Sequence, residues 1–293
     1  MDLEFSTIAD AFDNRVLQLI IFPTERCNLR CLYCYEDFAI GRMKRHVVAG
    51  IKSLIWKRAP DLARLYIGWF GGEPLLGLPV IRELSQEIRK CVAANSQIKY
   101  EASISTNAVF LTKNRLEELV NLGVRKFQVS LDGTREMHDQ TRKTANGKST
   151  FDSIWKNLLE AKKSRSECEI NLRINLTRAN YVSVPKLLTE IRQSFSDDMR
   201  FKVYFKAVEP LGGPNDARLE LLECSNSKEQ IKCLEARLCD TMLARAEGSC
   251  PAICYAAKAN SFVVRADGHL GKCTVALNQQ ENCVGTLLSL IHI

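Results

Sequence analysis

Short apolar runs rich in β-branched and aromatic residues alternate along this chain with segments in which apolar residues recur three and four positions apart. The runs are VLQLIIF (Val16 to Phe22), RLYIGWF (Arg64 to Phe70), YEASIST (Tyr100 to Thr106), KFQVSL (Lys126 to Leu131), EINLRINL (Glu169 to Leu176) and RFKVYFKAV (Arg200 to Val208). Between them, VIRELSQEIRKCVAAN, NRLEELVNLG and TFDSIWKNLLEAKK carry the helical period. This alternation predicts an α/β fold of parallel strands joined by crossover helices. In LGVRKFQVS a helix ends, Gly123 stops it and a strand begins. Six such units are too few to close an eight-stranded barrel, so a partial (β/α)6 barrel or an open sheet is expected. In either, the chemistry belongs at the C-terminal ends of the strands.

Beyond the sixth strand the pattern changes. LGGPN (Leu211 to Asn215) reads as a loop and boundary, and the polar stretch from about Asp216 to Glu247 reads as helical. From Cys250 a third texture appears, with a strand, an Asp-Gly turn and a second strand in FVVRADGHLGKCTV, the signature of a hairpin. The expected organisation is a short lead (1–15), the partial barrel (16–210), a helical linker (211–249) and a small cysteine-containing hairpin extension (250–293). No internal repeat is visible.

Composition narrows the function. At 293 residues and 46% apolar content the chain can bury a large core. Its net charge of +7 includes no long basic run and no interleaved aromatics, which argues against a nucleic-acid partner. The N-terminus MDLEFSTIADAFDN is acidic where a signal peptide is basic, and no apolar run approaches a membrane span, so a cytoplasmic protein without a membrane partner is expected. Twelve cysteines in that compartment are metal ligands or core residues rather than disulfides. Cys91, Cys168, Cys224, Cys233 and Cys239 read as ordinary helix or core cysteines. Two groups remain: Cys27, Cys31 and Cys34 near one end, and Cys250, Cys254, Cys273 and Cys283 near the other.

CNLRCLYC (Cys27 to Cys34) follows directly on the first strand, where an α/β site is expected. Structural zinc takes four ligands, and a lone trio leaves a position open. A cubane iron-sulfur cluster held by three thiolates leaves one iron free to bind a ligand. The odd number favours a reactive cluster.

CxxxCxxC with an aromatic before its last cysteine, here Cys27, Cys31, Tyr33 and Cys34, resembles the radical S-adenosylmethionine (SAM) enzymes. The resemblance implies a [4Fe-4S] cluster on the three cysteines, with SAM chelated at the open iron. Reductive cleavage of SAM then yields a 5'-deoxyadenosyl radical, with electrons from a donor such as flavodoxin or ferredoxin. It places Tyr33 against the adenine. GGEP (Gly71 to Pro74) ends the second strand: its bare glycines permit close backbone approach and Glu73 is an acceptor for an ammonium. In the family this segment holds the SAM amino group, which makes Gly71, Gly72, Glu73 and Pro74 candidates. STNA (Ser105 to Ala108) and SLDG (Ser130 to Gly133) end the third and fourth strands, with small polar groups suited to a ribose and a carboxylate. Ser105, Asn107, Ser130 and Arg142 follow as SAM contacts, Arg142 competing with Arg173 for a carboxylate. His138 reads as a solvated or structural loop residue rather than an acid or base.

Cys254, Gly268 and Cys273 form C-x13-G-x4-C around the predicted hairpin, with Cys250 four residues upstream. This resembles the opening of the SPASM extension, which carries auxiliary clusters in peptide- and protein-modifying radical SAM enzymes. The downstream cysteines of that pattern do not follow, and Cys283 stands where the family has no ligand. The ending LSLIHI resembles adaptor read-through, so a longer native protein and incomplete ligation around Cys250, Cys254 and Cys273 are expected. The resemblance implies an oxidoreductase that crosslinks or oxidises a ribosomally made peptide. The alternative is formylglycine formation in sulfatases, for which the subfamily uses an Asp directly after the cysteine that follows the Gly-x4 segment, here Cys273. Thr274 stands there, too weak an acid to replace a carboxylate. An alternative of another class is a non-catalytic zinc or iron-sulfur module, which has no use for GGEP, STNA or SLDG.

Overall fold

A computed structural model describes residues 5–223, 227–238, 241, 243–244 and 253–291. The strands in chain order are β1 (Val16–Ile21), β2 (Leu29–Cys31), β3 (Arg64–Trp69), β4 (Lys99–Thr106), β5 (Val124–Leu131), β6 (Arg142–Thr144), β7 (Glu169–Leu176), β8 (Phe201–Ala207), β9 (Ser261–Val264), β10 (His269–Gly271) and β11 (Cys283–Thr286). The helices are α1 (Phe5–Phe12), α2 (Arg45–Arg58), α3 (Leu78–Ala94), α4 (Lys113–Asn121), α5 (Arg135–Thr141), α6 (Phe151–Lys162), α7 (Arg178–Tyr181), α8 (Val184–Phe195), α9 (Ser227–Ala236) and α10 (Leu287–Ile291).

The six predicted strands are β1, β3, β4, β5, β7 and β8, and they lie side by side in chain order, all parallel. The sheet does not close. Among the described residues, the outer side of β8 meets a single bridge, Val203 to Ala244, while β9 adds in parallel to β1 and carries the antiparallel β10 and β11. The predicted Asp-Gly hairpin is therefore built as β9 and β10 and extends the barrel sheet itself. Its Gly268 sits at φ +97°, where a side chain is strained.

Burial alternates along β3, β4 and β5. One face is closed by the apolar stripes of the crossover helices, such as Leu84 and Ile88 of α3, Leu116 and Leu119 of α4 and Leu187 and Ile191 of α8. The other face is half-exposed and polar, with Ser103, Ser105, Gln128 and Ser130 directed to the concave side. A parallel sheet covered on both faces reads as continuous apolar runs. This one alternates because its inner face lines a cavity rather than a second helical layer.

The stretch predicted as helical from Asp216 to Glu247 differs. Among its described residues only a turn at Asp216–Arg218 and α9 are helical. Residues 219–223 form no regular element; the Arg178 N–H donates to the Glu220 carbonyl and Leu222 is buried. Tertiary contacts here override the polar helical texture. No described helix is long and apolar enough to cross a membrane.

Candidate active site

The cysteine loop leaves β1 through Phe22 to Arg26 and is held from two sides. On one side, β2 pairs antiparallel with β6, placing Cys31 opposite Arg142. On the other, it packs on the glycines after β3. A Cβ on Gly71 would lie 2.4 Å from the Thr24 carbonyl, and one on Gly72 would lie 2.6 Å from that of Arg26. The bare glycines thus serve the chain's own close approach, while their backbone also forms part of the cavity wall.

Cys27, Cys31 and Cys34 are all half-buried around one cavity, together with Tyr33. Ser105, Asn107, Ser130 and Arg142 reach the same cavity from the strand ends. Glu73 and Pro74 stand behind that wall. The Glu73 carboxylate is fully buried and accepts from the Leu75 N–H (3.0 Å), the Thr106 hydroxyl (2.8 Å) and the Asn107 N–H (2.7 Å). It therefore ties the end of β3 to the end of β4. Ala108 follows in the left-handed region at φ +60°, a strained turn that closes the STNA corner. Asn107 donates to Asn28 at 2.9 Å and lies 3.9 Å from the Cys27 sulfur, which also accepts from the Leu29 N–H at 3.3 Å.

Tyr33 is fixed at its hydroxyl. Arg142 Nη1 donates to it at 2.6 Å and Asn175 at 2.9 Å, and it donates to Asp132 at 3.1 Å. Asn180 holds this network from beneath, donating to the carbonyls of Asp132 (3.0 Å) and Asn175 (2.7 Å). Asp132, Asn175 and Asn180 escaped the sequence reading. Their signal was the Asp of SLDG and the T-x-x-N of TRAN, which forms a capping box on α7. Glu36, directly after the CNLRCLYCY run, was also missed: it is buried on the cavity wall with Oε2 unpartnered among the described residues. Burial, reinforced by the charge of Glu25, pushes its carboxyl up to about 8.

His138 is structural, but it lies on α5 and is fully buried rather than on a solvated loop. Its Nδ1 accepts from the Asp132 N–H at 3.4 Å, which puts the proton on Nε2, 3.1 Å from the Thr150 hydroxyl. Thr150 in turn donates to the Arg142 carbonyl at 2.6 Å. Burial, and then the charge of Arg142, hold the imidazole well below its ordinary value. The unfolded chain takes up this proton near pH 6.5 and the native state does not. Stability is therefore complete above about pH 6.5 and falls below it, by up to about 1.4 kcal/mol per pH unit. Urea unfolding from neutral pH down to about 5.5 is expected to show this slope. It should become shallower by up to one proton in His138→Gln.

The arrangement is a strand-end cavity lined by three half-buried thiols, a pinned tyrosine and a buried guanidinium. A profile of the radical SAM superfamily matches residues 21–177, more than half of the chain. The chain belongs to the radical SAM superfamily.

Among curated relatives, a cysteine-type anaerobic sulfatase-maturating enzyme of Clostridium novyi is 26% identical over 212 residues, covering 69% of this chain. The match spans 54% of that relative, about half its length. A GTP 3',8-cyclase of Campylobacter jejuni subsp. doylei is 27% identical over 233 residues, or 78% of this chain and 68% of the relative. Among solved structures, anSMEcpe with bound AdoMet and Cp18Cys peptide superposes with TM-score 0.72 at 19% identity, covering 94% of this chain and 79% of that one. Streptococcus suis SuiB bound to precursor peptide SuiA gives 0.66 at 13% identity, covering 98% and 67%. At these identities the structures establish the radical SAM fold.

A radical SAM enzyme uses a [4Fe-4S] cluster and SAM, and the residues present fit them. Burial pushes the Cys27 and Cys34 thiols up to about 12 and that of Cys31 upward as well, so without added positive charge all three stay protonated. Among the described residues, no three His, Cys, Asp or Glu side chains are grouped to hold a single metal ion. The three thiols line one shared cavity, and a soft all-sulfur donor set suits iron-sulfur chemistry. Arg142 contributes a buried Nε with no partner among the described residues, a donor awaiting an acceptor.

The second cysteine group lies along the concave face. Cys254 and Cys273 border a cavity there with Tyr255 and Thr274. The Tyr255 hydroxyl is 2.7 Å from that of Thr274 and accepts from the Thr274 N–H at 2.9 Å. Cys283 instead borders a separate depression beside His269, and Cys250 lies outside the described residues. Cys224 and Cys239 also lie outside them. Cys91 is buried, Cys168 half-buried and Cys233 exposed on α9.

Proposed function

We propose that this radical SAM enzyme oxidises or crosslinks a ribosomally made peptide, in a cytoplasmic setting and with electrons from a flavodoxin- or ferredoxin-type donor. Cys27, Cys31 and Cys34 hold the cluster, Tyr33 borders the adenine, and the backbone of Gly71 and Gly72 meets the SAM amino group. Ser105 and Asn107 serve the ribose, and Ser130 and Arg142 the carboxylate. When bound, the cluster and SAM supply a carbon radical able to abstract hydrogen from an unactivated carbon. The protein orients the substrate and excludes water. Cys254 and Cys273, with Cys250, are the proposed ligands of an auxiliary cluster.

The observation that carries the peptide reading is the continuity of two cavities. The one beside the three cysteines and the one bordered by Cys254 and Cys273 share Tyr35, Phe70, Ser105 and Arg173 as walls. Sulfatase maturation is supported by the Clostridium relative, but the hydroxyl of Thr274 is engaged by Tyr255 and offers no carboxylate base. Anaerobic reconstitution is expected to give a brown protein that releases 5'-deoxyadenosine from SAM on reduction. A peptide encoded beside its gene should lose hydrogens in the same reaction. Colourless protein with bound zinc and no SAM cleavage would refute the enzyme. SAM cleavage with formylglycine appearing in a sulfatase peptide would replace the substrate assignment.

A further inference from the structure

The inner cavity carries an unbalanced set of charges. Its cations are Arg64, Lys126, Arg173, Lys206 and Lys258, and its carboxylates are Glu101 and Glu209. Both carboxylates are already engaged, Glu101 by Lys126 at 3.1 Å and Glu209 by Lys206 at 2.6 Å. Arg64 has bonds of its own. Arg173 and Lys258 remain, each half-buried, and no carboxylate among the described residues pairs with either. Arg173 is oriented by its Nε, which donates to Asn175 at 2.8 Å, so that the two terminal nitrogens stay available as a fork. It stands where the cavity joins the one beside the three cysteines, while Lys258 belongs to the end bordered by Cys254 and Cys273.

We infer that the substrate is an acidic peptide whose carboxylates, flanking the residue to be modified, bind Arg173 and Lys258. This rests on the peptide-modifying reading and names its substrate class. A half-buried cation without a counter-ion costs desolvation, and a substrate carboxylate offsets that cost as it binds. The two spare cations sit among two resident carboxylates, a balance suited to one or two substrate charges. A nucleoside triphosphate carries more negative charge than two spare cations can match.

The test uses the reconstituted full chain and fluorescent acetylated peptides of Ala, Ser and Gly around a central cysteine, flanked by two Glu, two Gln or two Lys. Anisotropy is expected to rank them Glu, Gln, Lys, with about tenfold between the first two at low salt, since charge-assisted hydrogen bonds are the stronger ones and salt screens them. Arg173→Glu combined with Lys258→Glu should invert the order. Equal binding of all three peptides by the wild type overturns the proposal, as does displacement of the Glu peptide by GTP at lower concentration. A variant that loses SAM binding while keeping the peptide order also overturns it, because Arg173 would then serve SAM. Release of 5'-deoxyadenosine by the wild type without peptide tests the enzyme reading separately.

Discussion

Gly72→Ala is expected to give a folded protein with at least about tenfold less iron after reconstitution, and correspondingly little SAM cleavage; outer-shell changes at metal sites cost affinity on that scale. A Cβ at this position would lie 2.6 Å from the Arg26 carbonyl oxygen and 2.7 Å from both the Arg26 carbonyl carbon and the Glu25 carbonyl oxygen. All three are backbone atoms, so no rotamer change relieves the clash. The Glu73 N–H also donates to the Arg26 carbonyl at 2.9 Å, which fixes the two segments together. The loop must therefore move, and it is the loop that carries Cys27 one residue later. Overpacking of this kind costs about 1–3 kcal/mol, too little to unfold the chain but directed at the proposed ligands. Gly147→Ala is the control. Gly147 also has positive φ, +76°, but nothing lies within 4 Å of its Cβ position, so only conformational strain is added. Iron content and circular dichroism of the two variants decide the matter. A Gly72→Ala protein that keeps its iron refutes the claim that this contact sets the loop.

The strands were legible because each outward face is a stripe of residues such as Leu65, Ile67 and Trp69 that helices cover, leaving a period of two. The motifs at the strand ends were legible because they interrupt that period with Gly, Asn and Ser. Besides Asp132, Asn175, Asn180 and Glu36, two parts of the site were not. The pairing of β2 with β6 involves three-residue strands with no periodicity, and it brings together positions far apart in the chain. Without it, Arg142 and Arg173 compete for one task. With it, Arg142 is held opposite Cys31, and Arg173 falls at the junction of the two cavities. Glu73 was the other. A carboxylate after two glycines reads as a ligand, and only the positions of Thr106 and Asn107 reveal that its oxygens are already bonded.

The second large effect concerns a residue with no motif at all. Glu25 precedes the cysteine loop and is 3% exposed, and Arg265, in the turn between β9 and β10, is 14% exposed. They meet twice, at 2.6 Å and 3.2 Å, and the Ala266 N–H also donates to Glu25 at 3.2 Å. Arg265 continues to the Leu277 carbonyl at 3.0 Å, in the segment after Cys273. One guanidinium thus links the root of the first cysteine group to the strand pair bearing the second. Arg265→Met leaves a carboxylate buried and is expected to cost about 3–5 kcal/mol, read as a lower urea midpoint with unchanged slope. Adding Glu25→Leu removes the stranded charge, and the double variant should regain most of that loss, because apolar replacement of both partners is often nearly neutral. Additive losses in the two single variants and the double variant would show that the pair is not coupled. If the double variant regains stability but reconstitutes with less iron, the pair serves to position the cysteine loop rather than to hold the fold. That outcome follows from its geometry, since Leu187, Ile191 and the rest of the helical layer pack without it, whereas the turn holding Arg265 reaches the loop root through Glu25 and the bond from the Lys44 N–H to the Ala266 carbonyl.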